Sequence, residues 1–134
     1  MPEGVKVRWG WLKFMYIYTI IGAGGFGLGI IFTQKVVESM FGFPREDPVT
    51  FGITGSVYVA FAILSAFGLR SPLKFSPVLV LQLFYKSVWL IGVILPLLLA
   101  GRLPAYGMIL AAIFATYIIG DLIAIPFRYV FSRE

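Results

Sequence analysis

The chain of 134 residues has no cysteine and no histidine, and only 13% of it is charged. Without cysteine there is no disulfide, no thiol nucleophile and no thiolate metal site. Without histidine the commonest metal and haem ligand and the commonest general base are missing. A soluble domain carries about 25% charged residues and about 45–50% apolar ones. Here 60% are hydrophobic and the mean hydropathy is +0.94. The few charges divide the chain into four long apolar runs, 14–34, 48–69, 75–101 and 103–127. Each is long enough to cross a hydrocarbon core of about 30 Å as a helix, which satisfies its own backbone polar groups. The sequence predicts an all-α integral membrane protein, a four-helix transmembrane bundle forming one domain over residues 1–134. Its spans are expected at about 11–33, 48–69, 77–100 and 104–127, with an outer surface loop at 34–47.

The net charge of +5 would suggest nucleic acid in a soluble protein. In a membrane protein basic residues flank the spans and set orientation, so no nucleic-acid partner is expected. Lys6, Arg8, Lys13, Arg70, Lys74, Arg128 and Arg133 fall on one side, and Lys35, Arg45 and Arg102 on the other. That asymmetry predicts a multi-pass protein of the inner (cytoplasmic) membrane with both termini in the cytoplasm (N-in/C-in). The basic start followed by apolar residues resembles a signal peptide. The apolar run is longer than a signal peptide needs and no A-x-A site follows, so a retained first span is expected. Trp9 and Trp11 suit the headgroup level.

The first span carries Gly22, Gly25 and Gly29 at i, i+3, i+7 spacing, and the second carries Gly52, Ser56 and Ala60 at i+4 steps. Small residues on one face let helices approach closely, so these two faces are expected to pack together. Gly24, Gly27, Gly55, Ala62 and Ala66 lie nearby. In the loop, Val36, Val37, Met40 and Phe41 share one side of a short helix suited to the membrane surface. Asp47 is placed to cap the second span with Pro48 at its first position, and Ser76 to cap the third before Pro77. Pro96 cannot donate its N–H, which leaves the carbonyl of Gly92 free and predicts a kink in the third span.

Two charges interrupt the apolar runs. Lys86 lies about 15 Å deep in the third span and Asp121 about 8–10 Å deep in the fourth. An ionisable group at such depth needs a partner or water. Gln82, Lys86 and Trp89 share one face of the third span, and Tyr117 lies one turn from Asp121. Side chains on a helix point toward its N-terminus, so Lys86 should lean inward and Asp121 toward the midplane. A direct or water-bridged Lys86–Asp121 pair on the cytoplasmic half follows, with Gln82, Tyr117 and Trp89 around it. Such a pair has two readings: a structural tie between the spans, or a polar site for a headgroup, a quinone or a transported ion. If Lys86 instead faces another chain or a ligand, the pair reading gives way to an interface or binding site.

The chain runs from a Gly-bearing first span through Phe41-Gly42-Phe43-Pro44 to a second span opening near Gly52. A Gly68-Leu69-Arg70-Ser71-Pro72 turn and two closely joined final spans complete it. This layout resembles the DoxX-like small four-helix bacterial membrane proteins. The resemblance implies the fold, a hydrophobic or quinone-like ligand or a partner subunit, and no particular site residues. Three function classes follow. The first is a non-catalytic accessory or assembly subunit, docking onto partner membrane proteins or binding a lipid- or quinone-like molecule. The second is a small oligomeric transporter or channel using Lys86 and Asp121. The third, an enzyme, is disfavoured, because one Asp and one Lys assemble neither a metal site nor a Ser/His/Asp centre. No cofactor is expected beyond a bound lipid or quinone. Membrane lipids and either further copies of the chain or a larger membrane complex are the expected partners.

Overall fold

The computed structural model describes residues 6–133. Four helices among them are long and apolar enough to cross a membrane: Trp9–Phe32, Pro48–Arg70, Pro77–Leu99 and Ala105–Ala124. The first span is α1 (Trp9–Phe32). A short α2 (Gln34–Phe41) follows, then the second span, α3 (Pro48–Arg70). The third span consists of α4 (Pro77–Trp89), a π-helical turn (Leu90–Ile94) and α5 (Leu95–Leu99). The fourth is α6 (Ala105–Ala124), and α7 (Phe127–Val130) lies beyond it. No strand occurs among the described residues. Large apolar side chains on all four spans, among them Ile21, Ile53, Val88, Ile91, Leu99 and Ile119, are exposed. Such a continuous apolar exterior is expected of a bundle surrounded by lipid.

Local sequence explains the ends of these elements. Asp47 caps α3 as expected: its Oδ2 accepts from the Thr50 N–H at 3.0 Å and from the Thr50 hydroxyl at 2.8 Å. Those hydrogen bonds hold its exposed carboxyl below the usual carboxylate range. Ser76 does not cap the third span. Its backbone is already helical and its hydroxyl turns back to the carbonyl of Leu73 at 2.8 Å. Pro96 acts through the π-helical turn that precedes it, where the N–H of Leu95 reaches the carbonyl of Leu90. A proline crowds the carbonyl four residues earlier, and one inserted residue is a common way to relieve that. Gly101, with φ of 67°, makes the tight turn between the third and fourth spans that a residue with a side chain would strain. The fourth span stops at Ala124, short of the expected 127, because Pro126 cannot continue it.

The most extensive helix pair is α1 with α3, as the small residues imply, but other faces meet. A Cβ at Gly27 would lie 2.6 Å from the carbonyl oxygen of Gly55 and 2.9 Å from the backbone nitrogen of Val59. One at Gly24 would lie 3.1 Å from the Cβ of Ala62. The contact therefore runs through Gly24 and Gly27 against Gly55, Val59 and Ala62. The expected stripe is corrected residue by residue. Gly25 and Gly52 have open space beside them, Gly29 faces Val37 of α2, and Ser56 is exposed with its hydroxyl on the carbonyl of Gly52. Gly22 faces the fourth span instead. The amphipathic α2 lies over the C-terminal end of α1, with Val37 buried, Phe41 against Phe26 and Val36 and Met40 exposed.

Towards the end where the first span begins, a core of Leu12, Met15, Tyr16, Leu79, Val80, Leu83, Tyr117, Ala124 and Ile125 joins the first, third and fourth spans. The Tyr16 hydroxyl donates to the Pro72 carbonyl at 2.5 Å, tying this core to the loop before the third span.

Candidate functional site

The third and fourth spans meet in three rungs. On the innermost, Nε2 of Gln82 donates to the carboxylate oxygens of Asp121 at 3.1 and 3.3 Å. One turn outward, Nζ of Lys86 sits 3.6 Å from the ring centroid of Tyr117. On the next, the rings of Trp89 and Phe114 have centroids 4.8 Å apart. The outer turn sets this register. Gln82 lies 19 residues before Gly101 and Asp121 lies 19 after Arg102, while Lys86 and Tyr117 are each 15 away. Residues equally distant from the turn along the two antiparallel spans sit level here.

Of the direct or water-bridged pair expected between Lys86 and Asp121, the direct contact is not formed. Gln82, level with the carboxylate, takes it. Lys86 is level with Tyr117, four residues or roughly 6 Å further out. Of the five residues expected at the site, the structure brings Gln82 to Asp121 and Lys86 to Tyr117, and it leaves Trp89 packed on Phe114.

The inner rung extends to the first span. The Thr19 hydroxyl donates to the Met15 carbonyl at 2.7 Å and lies 3.4 Å from both Oε1 and Nε2 of Gln82. Thr19, Gln82 and Asp121 are all buried, so a polar relay joins three spans inside the inner core. Thr19 was not singled out in the sequence. Its signal was its place in the buried periodicity Leu12, Met15, Thr19, Ala23, where a hydroxyl needs a partner.

The middle rung is built on Tyr117. Its hydroxyl donates to the Tyr18 carbonyl at 3.1 Å, and its ring stacks on that of Tyr18 at 4.1 Å with 1° between the planes. At such short distances Lys86 and Tyr18 must occupy opposite faces of the ring. The glycine at position 22 makes this possible, because a Cβ there would collide with the Tyr117 hydroxyl. The Lys86 ammonium also lies 4.8 Å from the Phe114 ring and 5.4 Å from that of Tyr85.

Lys86 is only 2% exposed, and its ammonium lies over the rings of Tyr85, Phe114 and Tyr117. A desolvated cation–π contact gives about 2 kcal/mol, whereas taking an ammonium out of water costs several kcal/mol. Three ring contacts offset much of that cost, but an ammonium still has three N–H donors to satisfy. The side chain lines a cavity of about 200 Å³ shared with Gly22, Ala23, Phe26, Phe41, Tyr58, Leu110, Ile113 and Tyr117. All four spans and α2 contribute to it. Apart from the Lys86 and tyrosine polar atoms, its walls are apolar. Phe41 and Leu110 place it towards the half of the bundle that carries α2 and the Gly101 turn.

No protein-family model, curated protein or solved structure matches the chain.

Proposed function

We propose that the protein is a non-catalytic membrane protein, working as an accessory subunit, that holds the polar end of a lipid- or quinone-like molecule against Lys86. One observation carries this reading. A buried ammonium, supported on three aromatic faces, lines an otherwise apolar cavity. Small-molecule sites have this character, apolar walls with a few placed polar groups. The separation of the two intramembrane charges supports holding over acid–base chemistry: the carboxylate is engaged by Gln82, a turn away from the ammonium. The layout resemblance to DoxX-like proteins points in the same direction.

The test compares wild type with Lys86→Met, each purified in mild detergent, extracted with organic solvent and profiled by mass spectrometry against whole-membrane lipid. A species enriched in the wild type should be depleted at least tenfold in the variant. The variant's thermal stability should be equal or higher, since a thioether suits ring faces without a charge to desolvate. No enriched species, or the same enrichment in both proteins, overturns the proposal. Marked destabilisation of Lys86→Met would instead favour a structural charge pair.

For orientation we propose both termini in the cytoplasm, from the distribution of basic residues. The absence of native cysteine makes this directly measurable. A Ser132→Cys protein in intact cells should resist a membrane-impermeant maleimide, and Glu46→Cys should react. The opposite pattern reverses the orientation.

A further inference from the structure

A second cleft lies at the other end of the bundle, where the chain enters the first span and leaves the fourth. It measures about 730 Å³ and is lined by Lys6, Val7, Arg8, residues 122–127 and Arg128. We infer that this cleft is a headgroup site for an anionic phospholipid, with the phosphate held between Lys6 and Arg128.

The break at Pro126 builds the cleft. In an unbroken helix the carbonyl of Leu122 would accept from residue 126, which as proline has no N–H to give. The carbonyl of Ile123 would accept from Phe127, whose N–H instead reaches Ile125 at 3.0 Å. Arg8 covers that second carbonyl, its Nη1 donating to Ile123 at 3.0 Å. Arg8 is therefore a structural clamp between the two ends. Lys6 and Arg128 are exposed and converge on the cleft from different segments.

The charge around them has one sign among the described residues. Among the described residues, Glu38, Glu46 and Asp47 lie at the opposite end, and Asp121 is fully buried against Gln82. No described carboxylate competes for the two cations. A free anion would need only those cations. Here the cleft also presents apolar wall from Leu122, Ile125 and Phe127, at the level where the spans end. A phosphate joined to a glycerol and acyl chains matches both parts, and the carbonyl of Leu122 can accept from a headgroup hydroxyl. Each cation near an anionic membrane surface is worth about fivefold in binding, so the pair gives about thirtyfold.

The experiment uses the full chain in a neutral detergent. Phosphatidylglycerol, phosphatidylcholine and soluble glycerol 3-phosphate are titrated separately, and thermal unfolding and lipid adducts in native mass spectra are followed. Phosphatidylglycerol should stabilise the wild type and form a discrete adduct; the other two should do neither. Lys6→Gln with Arg128→Gln should weaken phosphatidylglycerol binding about thirtyfold. Lys35→Gln with Arg102→Gln removes the same net charge at the opposite end and should leave binding unchanged. Should both double variants weaken binding equally, the effect is net charge and the site is refuted. Equal stabilisation by glycerol 3-phosphate would make it a soluble-anion site, and equal stabilisation by phosphatidylcholine would remove the charge argument; either overturns the inference. A double variant that unfolds is replaced by Lys6→Arg with Arg128→Lys, which should retain binding. If that pair abolishes it, cation recognition is not the cause.

Discussion

Replacing Gly27 with alanine is expected to destabilise the protein by at least 1–3 kcal/mol, about the cost of overpacking a close contact, and replacing it with leucine to prevent stable folding. The added Cβ would sit 2.6 Å from the carbonyl oxygen of Gly55 and 2.9 Å from the backbone nitrogen of Val59. Neither obstacle is a side chain that can rotate away, so the first and second spans would have to separate. In lipid there is little hydrophobic drive to keep them together once close packing is lost. Gly25→Leu should behave differently, because nothing lies within 4 Å of its Cβ position and the leucine would point into lipid. Thermal unfolding in detergent of Gly27→Ala, Gly27→Leu and Gly25→Leu tests the contrast. A Gly27→Ala protein that melts with the wild type, or a Gly25→Leu protein that melts well below it, removes this account of the α1–α3 contact.

That contrast shows where the sequence is legible. Charge spacing alone marks the four spans to within a few residues, because a bilayer demands about 20 apolar residues per helix and tolerates few charges. Small residues correctly pair the first span with the second. They do not reveal the face, because Gly22, Gly24, Gly25, Gly27 and Gly29 lie so close in sequence that they point all around the helix. The choice is made by what the other helix offers: Gly55 and Ala62 leave room, and Val59 fills beside Gly27. The ends depend on competition between local hydrogen bonds. Asp47 caps its helix, whereas Ser76 satisfies itself on Leu73.

The intramembrane site was half legible. Opposite charges drew attention to Lys86 and Asp121, and the face carrying Gln82, Lys86 and Trp89 is the one that meets the fourth span. Choosing partners by charge misplaced the contact. Counting outward from the turn at Gly101 and Arg102 gives Gln82 opposite Asp121 and Lys86 opposite Tyr117. The aromatic surroundings, Tyr18, Tyr58, Tyr85 and Phe114, were hidden for a different reason. Aromatic residues are common throughout this chain, at 17%, and only packing distinguishes those around the ammonium from those facing lipid.

Gln82→Leu is expected to cost about 3 kcal/mol or more, the range for removing one partner of a buried charge. Asp121 is fully buried, and the Gln82 amide supplies its side-chain hydrogen bonds. Leucine fills the same space but donates nothing. Asp121→Leu should cost less, about 1–3 kcal/mol, because the orphaned amide keeps its contact with the Thr19 hydroxyl. Combining Gln82→Leu with Asp121→Leu should recover much of the loss, since no buried carboxylate remains to be satisfied. The coupling in that cycle should reach about 1–3 kcal/mol, as for residues in one polar network. Lys86→Met combined with Asp121→Leu provides the comparison. Lys86 rests on Tyr117 one turn away, so its coupling to Asp121 should stay within about 0.5 kcal/mol, near the additive limit. Unfolding of all five variants and wild type under one denaturing condition gives both cycles. If Lys86 proves more strongly coupled to Asp121 than Gln82 is, the carboxylate is held by the ammonium, and the separation of a structural rung at Asp121 from the proposed ligand-facing rung at Lys86 is lost with it.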